Sequence, residues 1–380
     1  MILHILDNFL PQHTAGIEVY VYRLCVKSPE SNFVLITGER SYKYEYQGIE
    51  VNVIKICPEF EIEFSNLLEE KKINCAHYHQ FNQGPFYDSK TLKFLKRKNI
   101  RLKFTFHLVQ YYCTTLRLKQ NNLNQCTIKA NHKACTRCYF ESIYKDKAPF
   151  FLRNYYLLQI FKGFSKVQNA LNSSQEIVSK NLERFGFILN IFDELETINE
   201  DFYLLLNNFH EIRNKLTFLP QVEFQISLKL PVKSDELKLI YLGRVEKSKG
   251  IEKLIRLAIK LNNSSITIDI YGQINDTIYN EKYFFFASKK TKTKLNYRGI
   301  LLPENVLNTI SQYDYLIHPS EIAEMTPLVI QEAFKVNVPV IGNDIFGINS
   351  YVQNGVNGWL FDFNNLKSAS ELFNVLVDDK

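Results

Sequence analysis

The 380-residue sequence contains no apolar run approaching the roughly 18 residues that a membrane-spanning helix needs. Its start, MILHILDNFLP, lacks the basic n-region and small-residue cleavage site of a secretory signal. The expectation is a cytoplasmic protein, peripheral at most on the inner membrane face. No arginine-rich block or stacking motif accompanies the net charge of +6, and the basic clusters KRKNIR and KKTKTK are interleaved with acids. Nucleic acid is therefore not an expected partner, whereas a weakly basic surface allows a loose attraction to anionic lipid. Short-period repeats and low-complexity tracts are also missing, which excludes a solenoid. The seven cysteines are odd in number, and without a secretory signal they predict no disulfide framework. What is present, 46% hydrophobic and 23% charged residues, is the composition of a folded soluble chain and excludes disorder, collagen and coiled coil.

The length predicts two domains. Short apolar runs alternate with helical patterns from the first residue: MILHIL, NFVLITG, NCAHYH, LKFTFH and LTFLP read as strands, with GIEVYVYRLC and SQEIVSKNLERFG as helices between them. The pattern then restarts. LKLIYLGR, SITIDIYG, KLNYRGI, YDYLIHPS and VPVIGND are strands, separated by the helices GIEKLIRLAIKL, PENVLNTIS and PLVIQEAF. Such alternation predicts α/β domains, each a doubly wound parallel sheet covered by helices. The first spans residues 1–220, a polar linker with Pro231 spans 221–236, and the second spans 237–380. Two such Rossmann-like domains are expected to face each other across a cleft, with ligands at the carboxyl ends of the strands.

Candidate chemistry lies in the loops after strands. In EIAEMTPLVIQEAF, residues 321–334, Thr326-Pro327 reads as the cap and first turn of a helix, with Glu324 in the loop before it and Glu332 on the helix. The helix start offers unpaired N–H groups to a phosphate. A carboxylate beside a phosphate is costly unless it has another task, and accepting hydrogen bonds from ligand hydroxyls is one. The two acids together read as a site for a polyol attached to a phosphate, although an acid pair at this spacing, taken alone, is more often solvated surface. In YLGRVEKSKG, residues 241–250, Gly243 permits a sharp turn, and Arg244 and Lys249 are two cations suited to phosphate oxygens. Taken alone, that loop reads equally as a solvated basic turn. Gly272 in IYGQI and Gly347 in FGINS mark places where backbone can approach a ligand closely.

In order and spacing, GRVEKSKGIEKLI, IDIYGQI and the stretch from YRGILLPENVL to NGVNGWLFD resemble the nucleotide-sugar-binding domain of the retaining glycosyltransferases of family 4, the group 1 transferases with the GT-B fold. The resemblance covers about residues 237–365. It continues more faintly through HTAGIEVYVYRL, AHYHQF and FTFHLVQ, which are similar to the family's Gly-rich first loop, the end of its third strand and the strand ending in its active-site histidine. The resemblance implies that Arg244 and Lys249 neutralise a donor diphosphate, that Glu332 accepts hydrogen bonds from the nucleotide ribose, and that Glu324 holds hydroxyls of the donor sugar. It places the amides of Met325, Thr326, Pro327 and Leu328 near the phosphates, Gly16 in a loop passing close to the donor, and His107 across the cleft near the transferred sugar. It further implies a nucleoside-diphosphate-sugar donor, a glycan or lipid-linked acceptor, retention of anomeric configuration, no cofactor or metal for catalysis, and a setting in bacterial surface polysaccharide assembly.

A lone histidine at a strand end is more often structural, and His107 gains its functional reading from the matching position. His77 and His79 alternate along one strand and are expected on opposite faces, so that only one of them lines the acceptor pocket. Cys113, Cys126, Cys135 and Cys138, in a Cys-rich insert at 113–138, suit a structural zinc site, with buried thiols as the alternative because two of the spacings are irregular for zinc. Three features depart from the family pattern. Ala15-Gly16 stands where two glycines are usual, Ser350 stands where a glutamate is common, and the chain stops at LFNVLVDDK where many relatives continue through helices that pack back on the first domain. Those departures keep two other readings open: a non-catalytic nucleotide-sugar-binding subunit of a transferase complex, and a GT-B sugar-nucleotide epimerase.

Overall fold

Residues 1–13, 16–57, 60–82, 85–116, 118–120, 124–126, 131–144, 165–219, 236–275 and 277–378 are described by the computed structural model. Ala15 and all of the expected linker except Glu236 lie outside these residues. The chain divides into two compact units, residues 1–115 with 119–221, and residues 222–380 with 116–118.

The first unit is built on strands β1 (Ile2–Ile5), β2 (Asn32–Gly38), β3 (Tyr42–Tyr46), β4 (Ile49–Lys55), β5 (Cys75–Tyr78), β6 (Arg101–Phe106), β9 (Glu194–Thr197) and β10 (Leu216–Phe218), with a small separate hairpin β7 (Lys119–Gln120) and β8 (Asn124–Gln125). The sheet order is β10-β9-β6-β5-β1-β2-β4-β3, and every pairing is parallel except that of β3 with β4. The sequence predicted five of these eight strands. The β3–β4 hairpin turns at Gln47 and Gly48, both at positive φ (49° and 84°), the conformation a two-residue hairpin loop needs. Gln-Gly is a weak signal for it. Among the helices, α1 (Gly16–Cys25) buries Glu18, Val21 and Cys25, three residues on one face at helical spacing. Others are α2 (Phe60–Glu70), α3 (Ser89–Arg97), α4 (His132–Tyr144), α5 (Ser165–Ile191) and α6 (Glu200–Leu206). Asp88 starts α3 by accepting from the Thr91 amide, the expected use of an aspartate before a helix.

The second unit holds six parallel strands, β11 (Leu237–Leu242), β12 (Ile266–Tyr271), β13 (Lys294–Gly299), β14 (Tyr315–His318), β15 (Val340–Asn343) and β16 (Gly358–Phe361), in the order β13-β12-β11-β14-β15-β16. Counted from β11 this is 3-2-1-4-5-6, the order of dinucleotide-binding α/β sheets. Its helices are α7 (Ile251–Leu261), α8 (Glu281–Ser288), α9 (Val306–Ile310), α10 (Leu328–Lys335) and α11 (Leu366–Asp378). Leu239, Ile240, Ile268, Ile270, Leu316, Ile317 and Ile341 are fully buried, as strands covered by helices on both faces require. On α7, Ile251, Leu254, Ile255 and Ala258 form the inward stripe, each large side chain contributing about 1.5–3 kcal/mol on burial. Among the described residues, no helix is long and apolar enough to cross a membrane.

Candidate functional site

In the second unit the strand order reverses between β11 and β14, and the loops leaving their carboxyl ends form the place where such sheets bind ligands. The two loops are tied together: the Glu321 amide donates to the Ser248 carbonyl at 2.9 Å, and Lys253 pairs with Glu321 at 3.4 Å. Gly272 follows β12 and passes so close to Gly243 that a Cβ would lie 1.8 Å from its carbonyl oxygen. Gly347, at φ 86°, has the Glu324 carbonyl 1.5 Å from its Cβ position. The first glycine lets the strand ends crowd together, and the second seats the loop after β15 on the Glu324 backbone.

At this junction Glu324 Oε1 accepts from Lys249 Nζ at 2.9 Å and lies 3.1 Å from His318 Nε2. Both acid and lysine are mostly buried, with side chains 13% and 18% exposed. Burial alone would raise the carboxyl, but Lys249 and then His318 overcome it and hold Glu324 well below the usual carboxylate range. His318, the last residue of β14, was not singled out in the sequence, and its signal was only its place at a strand end beside the switch in strand order. Of the two expected cations, Lys249 is brought to Glu324, whereas Arg244 is half-exposed and pairs with Glu246 at 3.2 Å.

Helix α10 begins one residue later than the sequence predicts. Pro327 occupies the cap position and Leu328 is the first helical residue, with no side chain capping the start. A proline ring cannot donate, so of the expected amides Met325 to Leu328, Pro327 supplies none. Thr326, taken as the cap, instead accepts from Tyr351 at 3.4 Å. Glu332 is half-buried on α10, and its neighbour Gln331 is buried with Nε2 unpartnered.

The first unit carries a second cluster at the carboxyl end of its central strands. His107, directly after β6, is 7% exposed, and its Nε2 lies 3.0 Å from His79 Nδ1. His79 Nε2 lies 2.9 Å from His4 Nδ1, and His4 Nε2 lies 3.0 Å from Asn32 Oδ1. Burial pushes His4 down to about 4 and His107 to about 3, and it also drives His77 and His79 well below the ordinary value. Gly16 opens α1, and Tyr20 on that helix meets the His107 ring edge-on at 4.7 Å. The expectation that His77 and His79 face opposite sides is wrong. Residues two apart along a strand share a face, and their ring centroids are 4.0 Å apart. His4 and Asn32 also went unread, since two isolated polar residues in apolar strands give no periodic signal.

Cys135 and Cys138 lie three apart on α4, on one face of that helix. Burial, with charge interactions from Cys113, Cys126 and Cys138, pushes the Cys135 thiol up to about 11. The four expected ligands thus feel one another's charge, but their sulfurs do not form a group within metal-binding reach. Among the described residues, the group whose ligand atoms come within metal-binding reach of one another is His4, His77 and His79.

Residues 222–380 match the model of the family Glycosyl transferases group 1. The second unit is thus a domain of that family. Over 205 residues the chain is 25% identical to an uncharacterised glycosyltransferase of Methanocaldococcus jannaschii, a match covering 53% of this chain and 50% of that protein. Over 141 residues it is 24% identical to an uncharacterised protein in the cps region of Klebsiella pneumoniae, covering 37% of each. The chain therefore spans half the length of the first of these curated relatives and just over a third of the second. Among solved structures, Anabaena HepE in complex with UDP-glucose aligns with a TM-score of 0.59 at 12% identity, over 100% of this chain and 90% of that one. Sucrose-phosphate synthase from Thermosynechococcus elongatus aligns with a TM-score of 0.61 at 15% identity and the same coverage. At such identities the likeness defines the fold, which is GT-B.

Proposed function

We propose that the chain is a retaining glycosyltransferase, moving a sugar from a nucleoside-diphosphate donor to a glycan or lipid-linked acceptor. The observation that carries this reading is the Glu324 carboxylate, held ionised by Lys249 and His318 four residues before an uncapped helix start. Breaking the bond from an anomeric carbon to diphosphate puts positive charge on the sugar ring and negative charge on the leaving group. Lys249, Arg244 and the amides at the start of α10 meet the leaving charge, so the transfer needs no metal. Glu324 keeps acceptor capacity on Oε2 for a donor hydroxyl, and Glu332 takes the ribose. His107 serves the sugar, with Gly16, the first residue of α1, close to the donor.

The UDP-glucose complex of HepE and the cps setting of the Klebsiella protein support a uridine diphosphate sugar and surface polysaccharide assembly at the cytoplasmic membrane face. Docking there falls to α8, where Phe285 and Phe286 are 55% and 60% exposed beside the exposed Lys282, Lys289, Lys290 and Lys292. Apolar rings ringed by lysines suit an anionic bilayer. Cys113, Cys126, Cys135 and Cys138 hold a structural zinc. Burial first, and then the charges of Cys113, Cys126 and Cys138, raise the Cys135 thiol, a cost that a dication would relieve.

Calorimetric titration with UDP-, GDP-, ADP- and dTDP-sugars, with Arg244→Ala as control, tests the donor site. Binding of one donor that is lost in the variant is the expected result, and binding of none overturns the reading.

A further inference from the structure

The Asn32 amide settles which nitrogen of each ring in the histidine row carries the proton. Asn32 Nδ2 donates to the Ser28 carbonyl at 2.7 Å, and a carbonyl can only accept, so Oδ1 is the atom turned to His4 Nε2 at 3.0 Å. His4 Nε2 must then hold a proton. All three rings are neutral, because burial keeps each below its ordinary value, and a neutral imidazole has one N–H. His4 Nδ1 is therefore bare and accepts from His79 Nε2 at 2.9 Å. By the same step His79 Nδ1 is bare and accepts from His107 Nε2 at 3.0 Å. His107 is left with its proton on Nε2 and with a bare Nδ1 that has no partner among the described residues.

A second anchor repeats the logic beside it. Thr105 donates to Glu196 Oε2 at 3.0 Å, so its oxygen is left to accept from His77 Nε2 at 2.7 Å. Glu196 is itself paired with Lys103 at 2.5 Å. Neither row holds a spare proton, so His107 cannot change tautomer without every ring behind it changing too.

We propose that Asn32, His4 and His79 are positioning residues that lock His107 as its Nε2–H tautomer, so that its bare Nδ1 accepts a hydrogen bond from a sugar hydroxyl. The identity of the hydroxyl's owner rests on the transferase reading; the tautomer lock does not.

The test is long-range 1H–15N correlation on protein labelled at the imidazole nitrogens, with His107 assigned by His107→Gln. The wild-type protein should show His107 protonated at Nε2 and bare at Nδ1. His4→Phe and Asn32→Leu remove the terminal acceptor. In whichever of the two remains folded by its amide spectrum, part or all of His107 should shift to the Nδ1–H form, with kcat/KM down at least tenfold. An Nδ1–H His107 in the wild type, or an unchanged tautomer in a folded His4→Phe or Asn32→Leu protein, overturns the lock whatever the activity does. So would zinc uptake by the wild type that His4→Phe abolishes, since the nitrogens of His4, His77 and His79 lie within 4.8 Å of one another and would then be metal ligands. The expected tautomers in a protein that transfers no sugar would support the lock and strike the transferase reading instead.

Discussion

Replacing Lys249 with methionine keeps most of the side-chain volume and removes the cation that holds Glu324 ionised. Breaking a buried pair by deleting one partner costs about 3–5 kcal/mol, because the other charge stays buried and uncompensated. The direction of the carboxyl's shift says how that cost depends on pH. In the native protein Glu324 lies below its ordinary 4.5, so it stabilises the fold at all pH values above that and loses its contribution as pH falls below it. Without Lys249, only His318 is left to oppose burial, the largest single influence, and the carboxyl is expected to rise above its ordinary value. Folding the variant then takes up a proton that the unfolded chain does not bind above about pH 4.5, and the penalty grows by about 1.4 kcal/mol for each pH unit above that. The variant should therefore approach the wild type only well below pH 4.5, where the carboxyl is protonated in both proteins, and be about 3 kcal/mol or more weaker at pH 7. For a unit of this size that is a fall in Tm on the order of 10 °C. The single tryptophan, Trp359, lies on β16, so urea unfolding followed by its fluorescence reports this unit. Adding Glu324→Gln removes the stranded charge and should recover part of the loss at pH 7, within the logic of a double-mutant cycle. A Lys249→Met protein as stable as the wild type at pH 7, or a double variant no more stable than the single, would refute the buried pair.

Three further outcomes follow from the same geometry. Glu332→Ala should weaken donor binding by about tenfold in calorimetry, the loss of one charge-assisted hydrogen bond, while Glu324→Ala should lower kcat at least as much; unchanged kinetics in both would remove the site assignment. Elemental analysis of protein purified without chelator should give about one zinc per chain, falling on Cys135→Ser, and less than half an equivalent in the wild type would end the zinc proposal. Phe285→Ser with Phe286→Ser should abolish co-sedimentation with phosphatidylglycerol vesicles and leave donor binding intact, whereas equal retention on neutral phosphatidylcholine vesicles would count against the lysine-ringed patch.

The parts of the fold that were legible in the sequence are those where one short segment carries the whole signal. Strands β11, β12, β14 and β15 are largely buried and each carries two or more buried Ile, Leu or Val, and α7 announces itself by its stripe of Ile251, Leu254, Ile255 and Ala258. Strand β3 has no buried residue, and β9, ELET, has four residues with two polar ends. Such segments become strands by pairing with distant partners, which local pattern cannot report. The site divides the same way. Lys249 and Glu324 were readable because each sits in a loop next to a glycine or a helix start, where polar residues need a reason. Their pairing was not, because 75 residues separate them. His77 and His79 were misplaced through the period of the strand itself, and the partners that explain them, His4 and Asn32, come from β1 and β2.

Each unit thus places its unusual side chains at the turnover of its strand order, but the two placements differ in kind. Around Glu324 the second unit gathers formal charges, an ammonium and a carboxylate with an imidazole beside them, next to a helix start whose amides add partial positive charge. Around His107 the first unit gathers neutral rings, kept uncharged by burial and fixed in orientation by amide and hydroxyl anchors. A charged cluster can meet charge that develops on a leaving diphosphate, because its field is already in place before the bond breaks. A neutral, tautomer-fixed ring serves a different need, since it distinguishes a hydroxyl donor from an acceptor without competing for the diphosphate. On the transferase reading proposed above, the charged cluster of the second unit suits leaving-group stabilisation, and the neutral row of the first suits hydroxyl orientation.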